Sequence, residues 1–151
     1  MSYAHIEPPR NAEMGILMYL YRMLYYSRAV NDPDTDAILD VARKKNAKNF
    51  LTGALWYDGE FFVQVLEGTR SSLAETYRSI SQDNRHRDVV LVECIPIDER
   101  SFSDWDMDFY RDNKTNRANI KRYVGQDYLD PRAMSPNSML KMLKSLNPTL
   151  T

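Results

Sequence analysis

Two apolar runs, Leu51 to Tyr57 (LTGALWY) and Phe61 to Leu66 (FFVQVL), are joined through Asp58-Gly59. Asp-Gly marks a tight turn, because glycine takes positive φ without steric cost and aspartate tolerates it. The two runs therefore predict an antiparallel hairpin, and the other elements have to be arranged around it. Upstream, Leu20 to Ser27 (LYRMLYYS) is aromatic and apolar and reads as a first strand. Asp32-Pro33 reads as a helix start, an aspartate N-cap with proline at the first helical position. Ile38, Val41 and Ala42 then recur at helical spacing, which carries the helix to about Asn46.

After the hairpin, Gly68 is expected to end the third strand. Ser72 with Glu75 three residues later forms a capping-box pattern, and Leu73, Tyr77 and Ile80 share one face of the helix that follows. Val89 to Ile97 reads as a fourth strand. Asp104 to Tyr110 (DWDMDFY) alternates, with Trp105, Met107 and Phe109 on one face and Asp106 and Asp108 on the other, which predicts a half-buried fifth strand. The fold class is α+β: a ferredoxin-like βαββαβ arrangement with an added fifth strand, a mostly antiparallel sheet and two helices on one face. Ile120, Tyr123 and Val124 suggest a short helix stopped by Gly125. Ser135-Pro136 starts another, striped by Met139, Met142, Leu143 and Leu146. These C-terminal helices are the candidates to cover the other face. Residues 1–18 read as an N-terminal extension, with Met18 as an alternative start, 19–112 as the α+β domain and 113–151 as a C-terminal helical extension.

A net charge of −1 argues against bulk electrostatic binding to nucleic acid or to an anionic membrane. Cys94 is the single cysteine, so no disulfide forms within the chain and a cytoplasmic setting is expected. Met14 to Leu20 is too short for a bilayer, which takes ~20 apolar residues, and Arg22 interrupts any extension. With only His5 and His86 as histidines, no metal-ligand spacing is present. Neither a phosphate-cradling glycine loop nor a serine in a nucleophile elbow is found.

Polar groups on apolar strand faces remain. Gln64 shares a face with Phe62 and Leu66. If that face packs under the helices the amide is buried, and without a partner it would cost about 1–3 kcal/mol. It is either part of a structural network or a ligand-recognition group, since an amide both donates and accepts. Tyr25 shares its face with Tyr21, Met23 and Ser27. It reads either as core with a satisfied hydroxyl or as an electron and proton donor beside a redox cofactor.

Five blocks in order, LYRMLYYSRA (20–29), NAKNFLTGAL (46–55), YDGEFFVQVLEG (57–68), QDNRH (82–86) and RSFSDWDM (100–107), resemble the BLUF domain, a blue-light sensor that uses flavin adenine dinucleotide. The resemblance implies a flavin between the two helices, FAD with FMN or riboflavin as alternatives. Tyr25 then matches the photochemically active tyrosine and Gln64 the glutamine that hydrogen-bonds the ring. Trp105 and Met107 match the tryptophan and methionine of the last strand, which rearrange on signalling. Met107, with Asn46, Asp83, Arg85 and His86, matches residues close to the cofactor. Ile38 and Tyr77 would supply apolar walls. Two positions depart from the family pattern. Lys45 stands where many members carry asparagine or histidine, so an accepting amide is replaced by a donor. Phe50 stands where glycine is frequent.

The resemblance also implies a mechanism. On excitation Tyr25 loses an electron and a proton, Gln64 rotates or tautomerises, and a red-shifted state forms without a covalent bond and decays thermally. The signal would leave through the last strand and the C-terminal helices, in a homo-oligomer or to a separate downstream protein, with no effector enzyme in the chain and neither nucleic acid nor membrane as partner. A flavin-free interaction module of the same fold is the alternative. A small flavin reductase would need a substrate space over the ring.

Overall fold

The computed structural model describes residues 20–102, 108–112, 114–126 and 128–146. Five strands, β1 (Leu20–Ala29), β2 (Thr52–Tyr57), β3 (Phe61–Thr69), β4 (His86–Pro96) and β5 (Asp108–Arg111), form one sheet in the order β4-β1-β3-β2-β5. All neighbouring pairs are antiparallel except β2 and β5, which run parallel. Helices α1 (Thr35–Lys48) and α2 (Arg70–Gln82) are the crossovers of the two halves, and α3 (Lys114–Val124) and α4 (Pro136–Ser145) follow the sheet. This is the ferredoxin-like α+β arrangement with its added strand.

Strand alternation sends consecutive side chains to opposite faces, and both faces are covered. Tyr25, Leu55, Phe62, Leu66 and Phe109 join Leu39 of α1 and Leu73 of α2 in one cluster. Leu24, Trp56, Val63, Val65 and Tyr110 join Ile120 of α3 and Met139, Met142 and Leu143 of α4 in the other. With both its faces buried, the central hairpin reads as nearly continuous apolar sequence. Burial of one such side chain stabilises the fold by about 1.5–3 kcal/mol.

Several local expectations are corrected. The N-cap of α1 is Asp34, whose carboxylate accepts from the Ala37 N–H. Asp32 sits at φ 46 and instead accepts from the Tyr57 hydroxyl at 2.9 Å, so the expected Asp32-Pro33 start lies just outside the helix. Gly68 does not end β3: it pairs with Tyr21, and Thr69 both closes the strand and caps α2 by accepting from the Ser72 N–H. The Ser72–Glu75 capping box does not form, because that turn is already inside the helix. β4 begins at His86 rather than Val89 and ends at Pro96. Tyr123 of α3 is exposed, whereas Ile120 and Val124 pack inward. In the hairpin, Gly59 takes φ 94 and the Asp58 carboxylate accepts from the N–H groups of Glu60 and Phe61. The alternation expected over 104–107 falls outside the described residues.

The end of α1 accounts for the departure at position 50. The Leu51 N–H reaches Asn46 O at 2.8 Å and the Phe50 N–H reaches Ala47 O at 3.4 Å, the paired reverse bonds of a Schellman motif. That motif puts Phe50 at φ 56. Glycine is the usual occupant of such a position, since an L-residue there costs about 1–2 kcal/mol. The turn into β2 is kept with phenylalanine in it.

Candidate functional site

The N-terminal half of the molecule encloses a cavity of about 380 Å³ between α1, α2 and the sheet. Its floor is Tyr25 of β1, Leu55 of β2, and Phe62 and Gln64 of β3. The antiparallel register makes Tyr25 and Gln64 directly opposed partners, and directly opposed side chains on one face are close enough to interact. The Tyr25 hydroxyl donates to Gln64 Oε1. Gln64 is 5% exposed and Tyr25 4%, so the buried amide of the central strand has the phenol as a partner. Burial pushes the Tyr25 phenol well above its ordinary range, and the charge of Asp83 and the neighbouring Tyr77 add to this. A phenol so placed is a neutral hydrogen-bond donor at any physiological pH.

A register shift in the β1–β4 pairing falls beside this tyrosine: Leu24 pairs with Glu93 and Tyr25 with Leu91. Bulges of this kind re-aim side chains next to functional sites. Tyr77 of α2 meets the Tyr25 ring edge-on, with centroids 6.3 Å apart. It supports the phenol and is not itself part of the cavity lining, contrary to the expectation that it forms a wall.

From α1 the lining takes Ile38, Val41 and Ala42, then Lys45 and the buried Asn46. From α2 it takes Thr76, Ser79 and Ile80. The far end is closed by Asp83, Arg85 and His86. Asp83 and Arg85 form an ion pair at 2.5 Å, with the Arg85 Nε–H also donating to both carboxylate oxygens. This guanidinium holds the Asp83 carboxyl below the usual carboxylate range. His86 is held by two bonds: Nε2 lies 2.5 Å from Ile80 O and Nδ1 lies 2.7 Å from Ser27 Oγ. A carbonyl only accepts, so Nε2 carries a hydrogen, and in the neutral ring Nδ1 accepts from the buried Ser27 hydroxyl.

The structure thus gathers Tyr25, Ile38, Lys45, Asn46, Gln64, Asp83, Arg85 and His86 around one space. Trp105 and Met107 lie outside the described residues; Phe109, from the same stretch of sequence, is buried on this side of the sheet. Leu55, Phe62, Val41 and Ser79 also line the cavity without standing out in the sequence as site residues. The signal for Phe62 was its place two residues from Gln64 on a strand, and for Val41 its place three residues from Ile38 on a helix.

A cleft of this size, with aliphatic and aromatic groups beside many convergent polar ones, fits a planar cofactor with a hydrogen-bonding edge. Aliphatic and aromatic groups can take the faces of a ring, and the Gln64 and Asn46 amides can donate and accept at its edge. Among the described residues no cluster of acidic, histidine or cysteine side chains could hold a metal ion, and no helix is long and apolar enough to cross a membrane.

Comparison with known proteins agrees with this geometry. Residues 20–108 match the model of the BLUF family, sensors of blue light using FAD. The beta subunit of the photoactivated adenylate cyclase of Euglena longa is 40% identical over 80 residues, covering 52% of this chain and 9% of that protein. The blue light- and temperature-regulated antirepressor BluF of Escherichia coli K12 is 30% identical over 94 residues, 60% of this chain and 23% of that protein. The chain therefore spans only a small part of these relatives' length. Among solved structures, BlsA in its photo-activated state superposes with a TM-score of 0.78 at 25% identity, covering 87% of this chain and 99% of that one. BlrB in its dark state gives 0.68 at 31% identity, covering 85% and 94%. This chain belongs to the BLUF family of blue-light sensors, whose members bind a flavin.

Proposed function

We propose that the cavity holds FAD and that Tyr25 and Gln64 together are its light-driven switch. The observation that carries this reading is the hydrogen bond from the Tyr25 hydroxyl to Gln64 Oε1 on the cavity floor. A bound flavin supplies, on blue-light excitation, a strong one-electron oxidant within the protein. Tyr25 would pass an electron and its hydroxyl proton to that oxidant and take both back, with no net change in either. Gln64 is the element with two states: its amide presents either a carbonyl or an NH2 to the phenol oxygen, and the opposite group faces the cavity. Asn46 and His86 hold the ligand's position, and the Asp83–Arg85 pair fixes the far wall.

The change at Gln64 passes to the stretch carrying Trp105 and Met107, and from β5 to α3 and α4 behind the sheet. A second copy of the chain or a separate downstream protein reads that surface in the cytoplasm, and neither nucleic acid nor a membrane is the target. The sensing unit is residues 19–112 and the helical extension 113–151 is the output. The match covers only 9% of the Euglena longa protein, so its cyclase activity does not carry over to the reading of this chain as a sensor.

The test is an absorption spectrum of the purified chain before and after blue light. A yellow protein that shifts to the red and recovers in the dark supports the reading. A chain that stays colourless when supplied with FAD is a flavin-free module of the same fold.

A further inference from the structure

Arg22 on β1 and Glu67 on β3 are directly opposed, and opposed side chains on one face have Cβ atoms about 4.5–5.5 Å apart. They share the face turned to α3 and α4, since Arg22 alternates with Leu24 and Glu67 with Val65, both members of that cluster. Glu67 is fully buried, and a buried carboxylate is ordinarily matched by a cation. Here neither residue has an ion pair among the described residues. Arg22 is half-buried, and its Nε–H is shut off from solvent with no hydrogen-bond partner. A buried anion and an unpaired buried donor therefore stand on neighbouring strands without being joined.

The chain after β4 holds the carboxylate instead. Glu67 Oε1 and Oε2 accept from the Ser101 N–H at 2.9 and 3.1 Å, and Oε1 also accepts from the Phe102 N–H at 2.8 Å. The nearby Arg100 donates to the main-chain carbonyl of Glu67. Phe102 belongs to the same buried cluster as Ile120 of α3 and Met139 and Leu143 of α4, so these bonds fix a ring in the layer under the C-terminal helices. Arg22 precedes Tyr25 by three residues and Glu67 follows Gln64 by three, which puts both pairs on one β1–β3 ladder. A movement of β1 against β3 made at one pair is carried along that ladder to the other.

We propose that Glu67 is a second two-state element, with Arg22 as its alternative partner. At rest the carboxylate holds the Ser101 and Phe102 N–H groups; after excitation it turns to the Arg22 guanidinium and lets them go. The backbone bonds are exchanged for an ion pair, and Phe102 is freed to shift against α3 and α4. This rests on the reading of Tyr25 and Gln64 as the light-driven switch. Arg22 lies outside the cavity lining and acts only through Glu67, so it is a positioning residue for the signal and takes no part in the photochemistry.

Hydrogen exchange of the full, flavin-loaded chain, in the dark and under steady blue light, reads the two amides directly. In the parent the Ser101 and Phe102 N–H groups should exchange at least about tenfold faster in light, as expected for the loss of a hydrogen bond to a charged acceptor. Arg22→Met is similar in length and carries no charge. It should keep the red shift and melt no lower than the parent in the dark, yet exchange alike in dark and light. Arg22→Lys, which keeps the charge, should restore part of the light response. The proposal is overturned, and the photochemical reading left standing, by a parent that shifts to the red with unchanged exchange at both amides. The same holds for an Arg22→Met chain that retains the light response or melts well below the parent in the dark. A parent with no red shift ends both.

Discussion

The hydroxyl of Tyr25 on β1 donates to Oε1 of Gln64, its directly opposed partner on β3, across 39 residues of sequence. The contact joins two central strands at the floor of the cavity, where neither group reaches water. Each satisfies the other in a place where an unpaired polar atom would cost about 1–3 kcal/mol. A bond of this kind links the stability of the fold to the chemistry of the site.

Replacing either partner separates binding from switching. Tyr25→Phe should still bind flavin but lose the light-induced red shift, and Gln64→Leu should behave alike. Both are read by difference spectroscopy. Tyr25→Phe should also lower the stability of the flavin-free chain by about 1 kcal/mol, since the Gln64 carbonyl loses that donor. A photocycle that survives in Tyr25→Phe would remove the phenol from its role.

Alkaline pH should reveal the buried phenols. The Tyr25 pKa is raised by burial, and that of Tyr57 is pushed up to about 12 by burial and its hydrogen bond to Asp32. In the unfolded chain a tyrosine ionises near about 10. Above that pH the unfolded state binds fewer protons than the folded state, so stability falls as pH rises, for Tyr57 until about 12 and for Tyr25 beyond it. Below about pH 9 neither group contributes a slope. Urea midpoints measured across this range should decline less steeply in Tyr25→Phe, and an unchanged alkaline slope would contradict the burial of Tyr25.

Glu67 is a buried carboxylate with a structural task. It accepts from the N–H groups of Ser101 and Phe102, while the Arg100 guanidinium donates to Thr52 Oγ1 and to the carbonyls of Glu67 and Phe50. This clasp ties the chain after β4 to the ends of β2 and β3. Glu67→Ala should cost about 2 kcal/mol or more in a denaturant melt, because hydrogen bonds to a charged group are the stronger kind. Glu67→Gln keeps one acceptor and should lose less. A Glu67→Gln chain as stable as the parent would mean that the carboxylate charge is irrelevant.

Met142 tests whether α4 is core. It is fully buried against the back of the sheet, so Met142→Ala should cost about 2–5 kcal/mol. Tyr128 is 61% exposed, and Tyr128→Ala should stay within about 0.5 kcal/mol. Thermal or urea unfolding of the two variants separates these outcomes.

Much of this architecture is written locally. Asp58-Gly59 marks the hairpin, Ser135-Pro136 marks the start of α4, and the Met139–Leu143 stripe marks its buried face, because turns, caps and periodicity depend on residues a few positions apart. Neighbouring candidates for one task are harder to rank. Asp32 and Asp34, or Thr69 and Ser72, have equivalent side chains for a cap, and the strand ends and the Tyr57 hydroxyl decide between them. The site is legible in the same mixed way. The resemblance in five short blocks pointed to the lining residues from Tyr25 to His86, whereas Leu55 and Ser79 carry no local mark of their roles.

Periods, turns and available residue types are fixed along the chain: a phenol at position 25, an amide at 64, and a phenylalanine where a helix end wants glycine. It took the packed fold to set the phenol and the amide face to face, to put Tyr77 behind the phenol, and to leave the Phe50 ring exposed. The reason is physical. Side-chain periodicity is a property of one segment, but the partner of a buried polar group is set by strand register and helix packing, which bring together groups tens of residues apart.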